Sequence, residues 1–375
     1  MKKISGSQLS ALVALQITGS SIALGSGDDA MQDSWIAALF AVVIAVPVMW
    51  MYASILRLSP GRSYFGIAEE TFGKVGGKIF TGLYICYAVF LGAQVFRVLD
   101  EFIQLVNLPR TPQVIILAFS VPLVAVQIRC GPKNVASCAK FLLPIILIFL
   151  GIMFILGLPF MDPQNIRPVF GAGTKAIMTG AFYNFSLSMG ETVLCLPFFE
   201  ETEPSVKPFR ILLNGVILGG INLAIITFRN LLLLGAPVCQ MYLFASYDAV
   251  GVISVGEFIT RISVLIGINM VLTATSKISV ALYSATVGVS RILGLHDTLR
   301  PAASCATLMA ALSYILYSTL LSGMSMRRYL PFTNMPFQLL LPLLLLICGK
   351  IKKKNAKKHA KAPAPLKTAA APAKN

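Results

Sequence analysis

The sequence predicts an all-α polytopic membrane protein of ten transmembrane helices. They are arranged as a five-plus-five inverted repeat in which the first and sixth spans are discontinuous. Three observations carry this reading. Of 375 residues, 56% are hydrophobic and 12% charged, with a mean hydropathy of +0.79, whereas soluble domains carry about 25% charged residues. Ten apolar runs are of a length to cross a bilayer, at roughly 8–27, 35–58, 78–105, 113–129, 139–158, 178–199, 209–234, 257–288, 302–322 and 334–349. The first and sixth of these runs are both interrupted near their middles by glycine beside hydroxyl residues. The expected organisation is one membrane domain over 1–349, with repeats at 8–158 and 178–349, and a disordered lysine-rich tail at 350–375.

The chain opens MKKISGSQLSALVAL, with no cleavage signal after a short apolar core, so this run is read as a retained first span. Its centre is Thr18-Gly19-Ser20-Ser21. The loop that follows, GSGDDAMQDSW, is acidic. Span 3 places Tyr84, Tyr87 and Gln94 on one helical face. Such a face lines a pocket or bonds to neighbouring helices. Arg97, Asp100 and Glu101 close its far end, and Arg229 closes that of span 7. Glu257 and Arg261 open span 8. These charges suit interfacial pairs or a gate.

Span 6 contains SLSMGETVLCLPFF, with Ser188-Met189-Gly190-Glu191-Thr192 at its centre. Spans 1 and 6 occupy corresponding places five spans apart and enter the membrane from opposite sides. In such inverted repeats, interrupted helices flank a midplane substrate site. Irregular backbone at that depth survives only where it lines a cavity or is buried in protein. A half-helix starting near Ser20 would turn its N–H groups toward an anion such as an amino acid carboxylate.

A charge at the bilayer centre costs at least about 2.5 kcal/mol on insertion scales, so it faces the bundle interior and is paired. Glu191 and Lys277, the latter in TATSKISVALYS of span 8, stand near mid-depth. They can pair with each other, or Glu191 can receive an ammonium or carry a proton while Lys277 replaces a coupling cation or meets a carboxylate. The aromatics Phe182, Tyr183 and Phe185 precede the span 6 break, where they would cap an apolar ligand group or face lipid. The candidate substrate-binding set is Gly19, Ser20, Ser21, Tyr87, Gln94, Gly190, Glu191, Thr192, Thr275, Ser276 and Lys277.

Lys and Arg set the orientation. With both termini cytoplasmic, thirteen lie in inside segments and nine more in the tail, against five in outside loops. The tail KIKKKNAKKHAKAPAPLKTAAAPAKN has no acid and reads as a topogenic segment drawn to anionic lipid, with no nucleic acid expected. Seven cysteines form no CxxC pair and the two histidines, His296 and His359, are far apart. No metal, cofactor or catalytic cluster is predicted. Gly294-Leu295-His296-Asp297 reads as a local helix end rather than an enzyme site.

The stretches ISGSQLSALVALQITGSSI, RVLDEFIQL, GETVLCLPFF with EETEPSVKPFR after it, and SKISVALYSATVGVSRILGL resemble, in this order, the B subunit of spore germinant receptors. That GerB spore germination family is similar to the amino acid–polyamine–organocation transporters, which share the LeuT-like inverted repeat. The resemblance covers about 4–349. It implies a subunit that senses a germinant, usually an amino acid such as alanine, in the inner membrane of spores. Its partners would be a membrane-bound A subunit and a lipoprotein C subunit. The alternative is a working amino acid permease, for which Glu191 offers a route to proton coupling. TSKIS also resembles the Thr-Ser stretch lining ligand and sodium sites in LeuT-type transporters, but Lys277 follows that pair here.

Overall fold

The computed structural model describes residues 3–23, 28–106, 108–203, 205–253, 263–316 and 329–361, apart from the side chains of 20–23, 28 and 356–361. Ten rods follow the ten apolar runs. The first five are α1 (Gly6–Ala23), α2 (Ser34–Leu56), α3 (Tyr64–Val106), α4 (Gln113–Arg129) and α5 (Pro132–Gly157). The sixth is composite: α6 (Gly173–Asn184), a π turn (Phe185–Met189) and a 3₁₀ stretch (Gly190–Glu201). Then come α7 (Pro208–Leu234), the short α8 (Ala236–Met241) and α9 (Ala245–Gly251), α10 (Ser263–Leu293) and α11 (Ala302–Leu316). The tenth rod is also composite, with α12 (Leu330–Met335), a π turn (Pro336–Leu340) and α13 (Leu341–Lys361).

The rods sort into an inner group and a lipid-facing group. Residues of α10 from Ser276 to Gly288 are buried in an unbroken run, whereas α5 exposes Phe141, Ile148, Ile152 and Ile155. A helix hydrophobic all round is a membrane span, and in lipid close approach of backbones replaces the hydrophobic effect as the packing force. The α1–α7 crossing shows this. A Cβ placed on Gly215 would stand 2.6 Å from Val13 Cβ, and one on Gly219 would stand 2.7 Å from Ile17 Cβ. These two glycines, four apart, let α7 lie directly on α1.

Loops tie the bundle ends. The Asp33 carboxylate, fully buried, accepts from the N–H groups of Phe170 and Ala172 at 2.8 and 2.9 Å, fastening the loop after α5 beneath the entry to α2. At the other end, Ile4 N–H donates to Glu201 O (2.8 Å) and Ile4 O accepts from Glu203 N–H (3.2 Å). The N-terminus is therefore tethered to the exit of the broken rod. Asp297 Oδ1 accepts from Leu299 N–H at 3.0 Å, so the Gly294–Asp297 motif is a turn after α10.

Several boundaries differ from the sequence reading. The break expected at Thr18–Ser21 is not found there. The α1 backbone is helical throughout Gly6–Ala23, and the Thr18 hydroxyl, which the break would have freed, is satisfied on Ala14 O at 2.9 Å within the helix. The third rod starts at Tyr64, with a kink at Gly73 (φ 79°), which separates a helix over 64–72 from the span itself. The last helix runs on to Lys361, past the start of the expected disordered tail at 350. Its lysines have work to do there: Lys353 Nζ donates to Leu58 O at 2.9 Å, Lys352 Nζ donates to Glu70 O, and Lys350 lies 5.3 Å from the Trp50 ring centroid. Of the cysteines, only Cys195 and Cys305 are buried, and Cys86 and Cys130 are exposed. The start of span 8, with Glu257 and Arg261, lies outside the described residues.

Replacing Gly219 by leucine is expected to lower the thermal midpoint of the detergent-solubilised chain, at a cost of about 1–3 kcal/mol for overpacking. Gly82→Ala, whose Cβ meets nothing within 4 Å, is the control and should leave the midpoint unchanged. Equal midpoints for the two variants would mean that the α1–α7 contact is not close-packed.

Candidate functional site

Backbone chemistry dictates what surrounds the break in the sixth rod. A π turn followed by twelve residues of 3₁₀ helix is long for either form, since 3₁₀ runs beyond three or four residues are uncommon. Both forms weaken the carbonyl ladder, and in hydrocarbon each unmet carbonyl costs several kcal/mol. Side chains from four other rods meet them. Tyr52 Oη donates to Gly190 O (3.3 Å), Tyr84 Oη to Val193 O (2.7 Å) and Ser284 Oγ to Leu194 O (2.5 Å). Gln338 Nε2 donates to Ser186 O (2.7 Å), and within the rod Thr192 Oγ1 donates to Met189 O (2.6 Å).

Gln338 is the hub. It is fully buried on the π turn of the tenth rod. Its Nε2 also donates to Tyr87 Oη (2.8 Å), its Oε1 accepts from Ser186 Oγ (3.2 Å), and its own carbonyl accepts from Tyr52 Oη (2.7 Å). Position 190 must be glycine for this contact, because a Cβ there would stand 2.2 Å from Gln338 Oε1. Nothing in the sequence reading pointed to Gln338. Its signal was one of two amides, with Asn334, in an otherwise apolar tenth run, two residues after Pro336.

One residue past Gly190, the Glu191 carboxylate points across the bundle. Lys277 Nζ lies 2.7 Å from Glu191 Oε2, and both side chains are about 95% buried or more, with exposures of 5% and 3%. The lysine reaches it by laying its stem over Gly19, where a Cβ would stand 3.0 Å from Lys277 Cδ and 3.2 Å from Thr273 Cβ. The three sequence signals in spans 1, 6 and 8 thus converge on one point. Gly19 provides clearance, Lys277 the cation and Glu191 the anion.

The other candidate residues divide. Tyr87 joins through Gln338 and stacks on Phe337 at 5.1 Å, nearly parallel. Thr192 is buried on the rod itself, with its hydroxyl on Met189 O. Ser276 is buried beside Lys277. Thr275 is not on the Lys277 face: two residues turn a helix by roughly 200°, and its hydroxyl bonds back to Val271 O at 2.7 Å. Gln94 is buried about 10 Å further along α3 than Tyr87. The backbone of Ser20 and Ser21 is helical, and their side chains lie outside the described residues. Arg97 pairs with Glu101 at 2.7 Å and donates to Gln113 Oε1 at 2.8 Å, which accounts for two of the charges closing span 3.

Toward the α6 end, a cavity of about 630 Å³ is lined by Asp29, Lys175, Thr179, Phe182, Tyr183 and Phe332, among others. Thr179, Phe182 and Ser186 fall on one face of the sixth rod by spacing. This face leads from the cavity to the Gln338 network. Phe185, by contrast, is buried in the core.

Breaking the buried pair on one side leaves an uncompensated charge, which costs about 3–5 kcal/mol, whereas replacing both partners is close to neutral. Glu191→Gln and Lys277→Met should each lower the thermal midpoint sharply. The double variant should recover most of the loss. Additive losses in the double variant would show that the two side chains are not energetically coupled.

Comparison with known proteins agrees with this geometry. Residues 3–322 match the sequence model of the family described as spore germination protein. Spore germination protein KB of Bacillus subtilis (strain 168) is 24% identical over 95% of this chain and 97% of that protein. The putative spore germination protein YfkT of the same organism is 23% identical over 87% and 89%. Among solved structures, a substrate-bound outward-open Na⁺-coupled sialic acid symporter superposes with a TM-score of 0.66 at 12% identity, covering 92% of this chain and 79% of that one. The nucleobase-cation-symport-1 family transporter Mhp1, closed with bromovinylhydantoin bound, superposes with a TM-score of 0.58 at 15% identity, covering 91% and 78%. These structures show a LeuT-like transporter fold, and the family match shows a germination-related, permease-like membrane protein. The chain is a member of the spore germination protein family, a multi-pass integral membrane protein built on the LeuT-like fold.

Proposed function

We propose that the protein is a germinant-sensing membrane subunit. It binds a small, alanine-like amino acid at the midplane and thereby triggers spore germination. The observation that carries the reading is the buried Glu191–Lys277 pair at the break of the sixth rod. A zwitterion brings the same two charges as the pair. Its carboxylate takes Lys277 and its ammonium takes Glu191, so the ligand inserts by exchanging one ion pair for two. Gly19, Gly190, Thr192, Ser276 and Tyr87 would line the opened space. The small residues limit the ligand's side chain, which is why alanine suits the site better than a bulky amino acid.

The exchange gives sensing a physical form. In the closed state the pair and the Gln338 network hold the sixth rod against spans 2, 3, 8 and 10. A ligand shifts the population only by its difference in affinity for the two states, and separation of the pair is such a difference. A membrane-bound A subunit and a lipoprotein C subunit would receive the shift. The excess of Lys and Arg on one side supports a topology in which both termini would be cytoplasmic, with the chain in the inner membrane of the spore. The reading assigns the chain no catalysed reaction.

Lys277 carries a fixed positive charge into the site, so binding should not require sodium. The second reading, an amino acid permease coupled to protons through Glu191, is favoured by the transporter fold. Flux separates the two readings. Proteoliposomes of the chain alone should bind labelled alanine without accumulating it, whereas uptake driven by an inward proton gradient would establish the permease.

In a thermal-shift panel of amino acids and nucleosides, a small amino acid is expected to raise the midpoint of the native chain. The shift should be the same in sodium and in choline buffer, and should vanish in Glu191→Gln. A shift that survives Glu191→Gln would remove the carboxylate from the site, and a sodium requirement would overturn the role given to Lys277.

A further inference from the structure

A second buried cation lies away from the Glu191–Lys277 site. Arg229 of α7 is 1% exposed. Unlike Lys277, it has no carboxylate within ion-pairing distance among the described residues. Its donors reach neutral acceptors: Nε and Nη2 approach Asn230 Oδ1 at 3.3 and 2.7 Å, and Nη2 approaches Ser246 O at 3.5 Å. An uncompensated charge at this burial is costly.

Arg229 forms part of the wall of a groove of about 640 Å³ between α2, α5 and α7. Apart from Arg229 and Asn222, the lining is apolar and includes Trp35, Leu39, Leu150, Phe154 and Ile225. Leu39, Ile155, Ile221 and Ile225 are exposed, so the groove opens on the lipid side of the bundle. The indole N–H of Trp35, in the same wall, has no acceptor among the described residues. A cation with only neutral acceptors and an indole N–H without one therefore stand at one end of an apolar furrow.

Depth identifies what could meet them. Arg229 is five residues from the end of α7 at Leu234, about 7.5 Å. Trp35 is the second residue of α2, at the level where interfacial aromatics sit. The lining from Arg229 to Ile221 runs about 12 Å further inward, most of the ~15 Å of hydrocarbon in one leaflet. A hydrophilic anion has no aqueous path along such a lining, whereas a lipid of that leaflet is already there.

We propose that this groove binds an anionic phospholipid, with its phosphate on Arg229 and the Trp35 indole N–H and one acyl chain along α5 and α7. The inner end of the groove touches the core. Asn222 Nδ2 donates to Thr18 Oγ1 at 3.1 Å, one residue from the Gly19 over which Lys277 lies. Lipid occupancy thus bears on the helix that supports the central ion pair.

The test is lipid-dependent thermal stability of the full chain in detergent. Phosphatidylglycerol should raise the midpoint and bind about fivefold more tightly than phosphatidylcholine of the same chains, the weight of one basic contact. Inorganic phosphate alone should do nothing. Gly151 lines the groove and a Cβ on it meets open space, so Gly151→Leu should fold and abolish the lipid increment. Asn230→Asp would give Arg229 a resident counter-ion in the place of Asn230 Oδ1. It should raise stability without lipid and remove the preference for phosphatidylglycerol. Equal effects of the two lipids, an effect of phosphate alone, or an increment that survives both variants would each overturn the proposal.

Discussion

The structure depends on a rule of the membrane interior: a backbone carbonyl that leaves the α-helical ladder must find another donor, since no water will serve. The sixth rod leaves that ladder at Phe185 and does not rejoin it before Glu201. Four side chains from neighbouring rods answer this. Tyr52, Tyr84 and Ser284 of spans 2, 3 and 8 meet on the twelve-residue 3₁₀ segment, and Gln338 of span 10 caps Ser186 O in the π turn before it. The break is therefore a node at which four other rods are pinned. A 3₁₀ helix rises about 0.5 Å more per residue than an α-helix, so the segment is also about 6 Å longer than its α-helical equivalent and carries the rod through the bundle.

The ion pair answers a different constraint. Glu191 enters the core because it sits one residue after Gly190, where the rod must approach Gln338 closely. It survives there because Lys277 meets it. Coulomb attraction between two such charges grows as the dielectric falls, but so does the cost of bringing them out of water. The pair is therefore poor cement. It is stable while both partners stay together and costly the moment they part, which is the energy profile of a switch. Carbonyl capping holds the rod in place, and under the proposed sensing role the pair would fix how much a ligand must supply to move it.

The large features were legible because they rest on periodicity and hydropathy. Ten runs, the converging positions of Gly19, Glu191 and Lys277, and the break in span 6 all follow from the residues in order. What was not legible depended on contacts between distant segments. Thr-Gly-Ser-Ser reads as a break, yet α1 stays helical where Gly215 and Gly219 of α7 pack on Val13 and Ile17, a contact between segments about two hundred residues apart. Gln338 was invisible because its importance lies in carbonyls on another rod. The helical run past Lys350 was hidden by a composition that suits disorder, and only the acceptors at Leu58 and Glu70 give those lysines a place.

The asymmetry between the two interrupted spans has a consequence. An inverted repeat leads one to expect two broken helices sharing the site equally, yet here the irregular backbone is on the sixth rod and its partner irregularity is the π turn of the tenth. Span 1 contributes only a smooth surface at Gly19 for the lysine stem, with Gly215 and Gly219 of α7 pressed against its other side. A straight helix held between close-packed glycines is stiff, while two π turns joined through one glutamine amide are not. Under the proposed sensing role, motion at this site would belong to the sixth and tenth rods turning about the Gln338 contact, with α1 as the fixed wall.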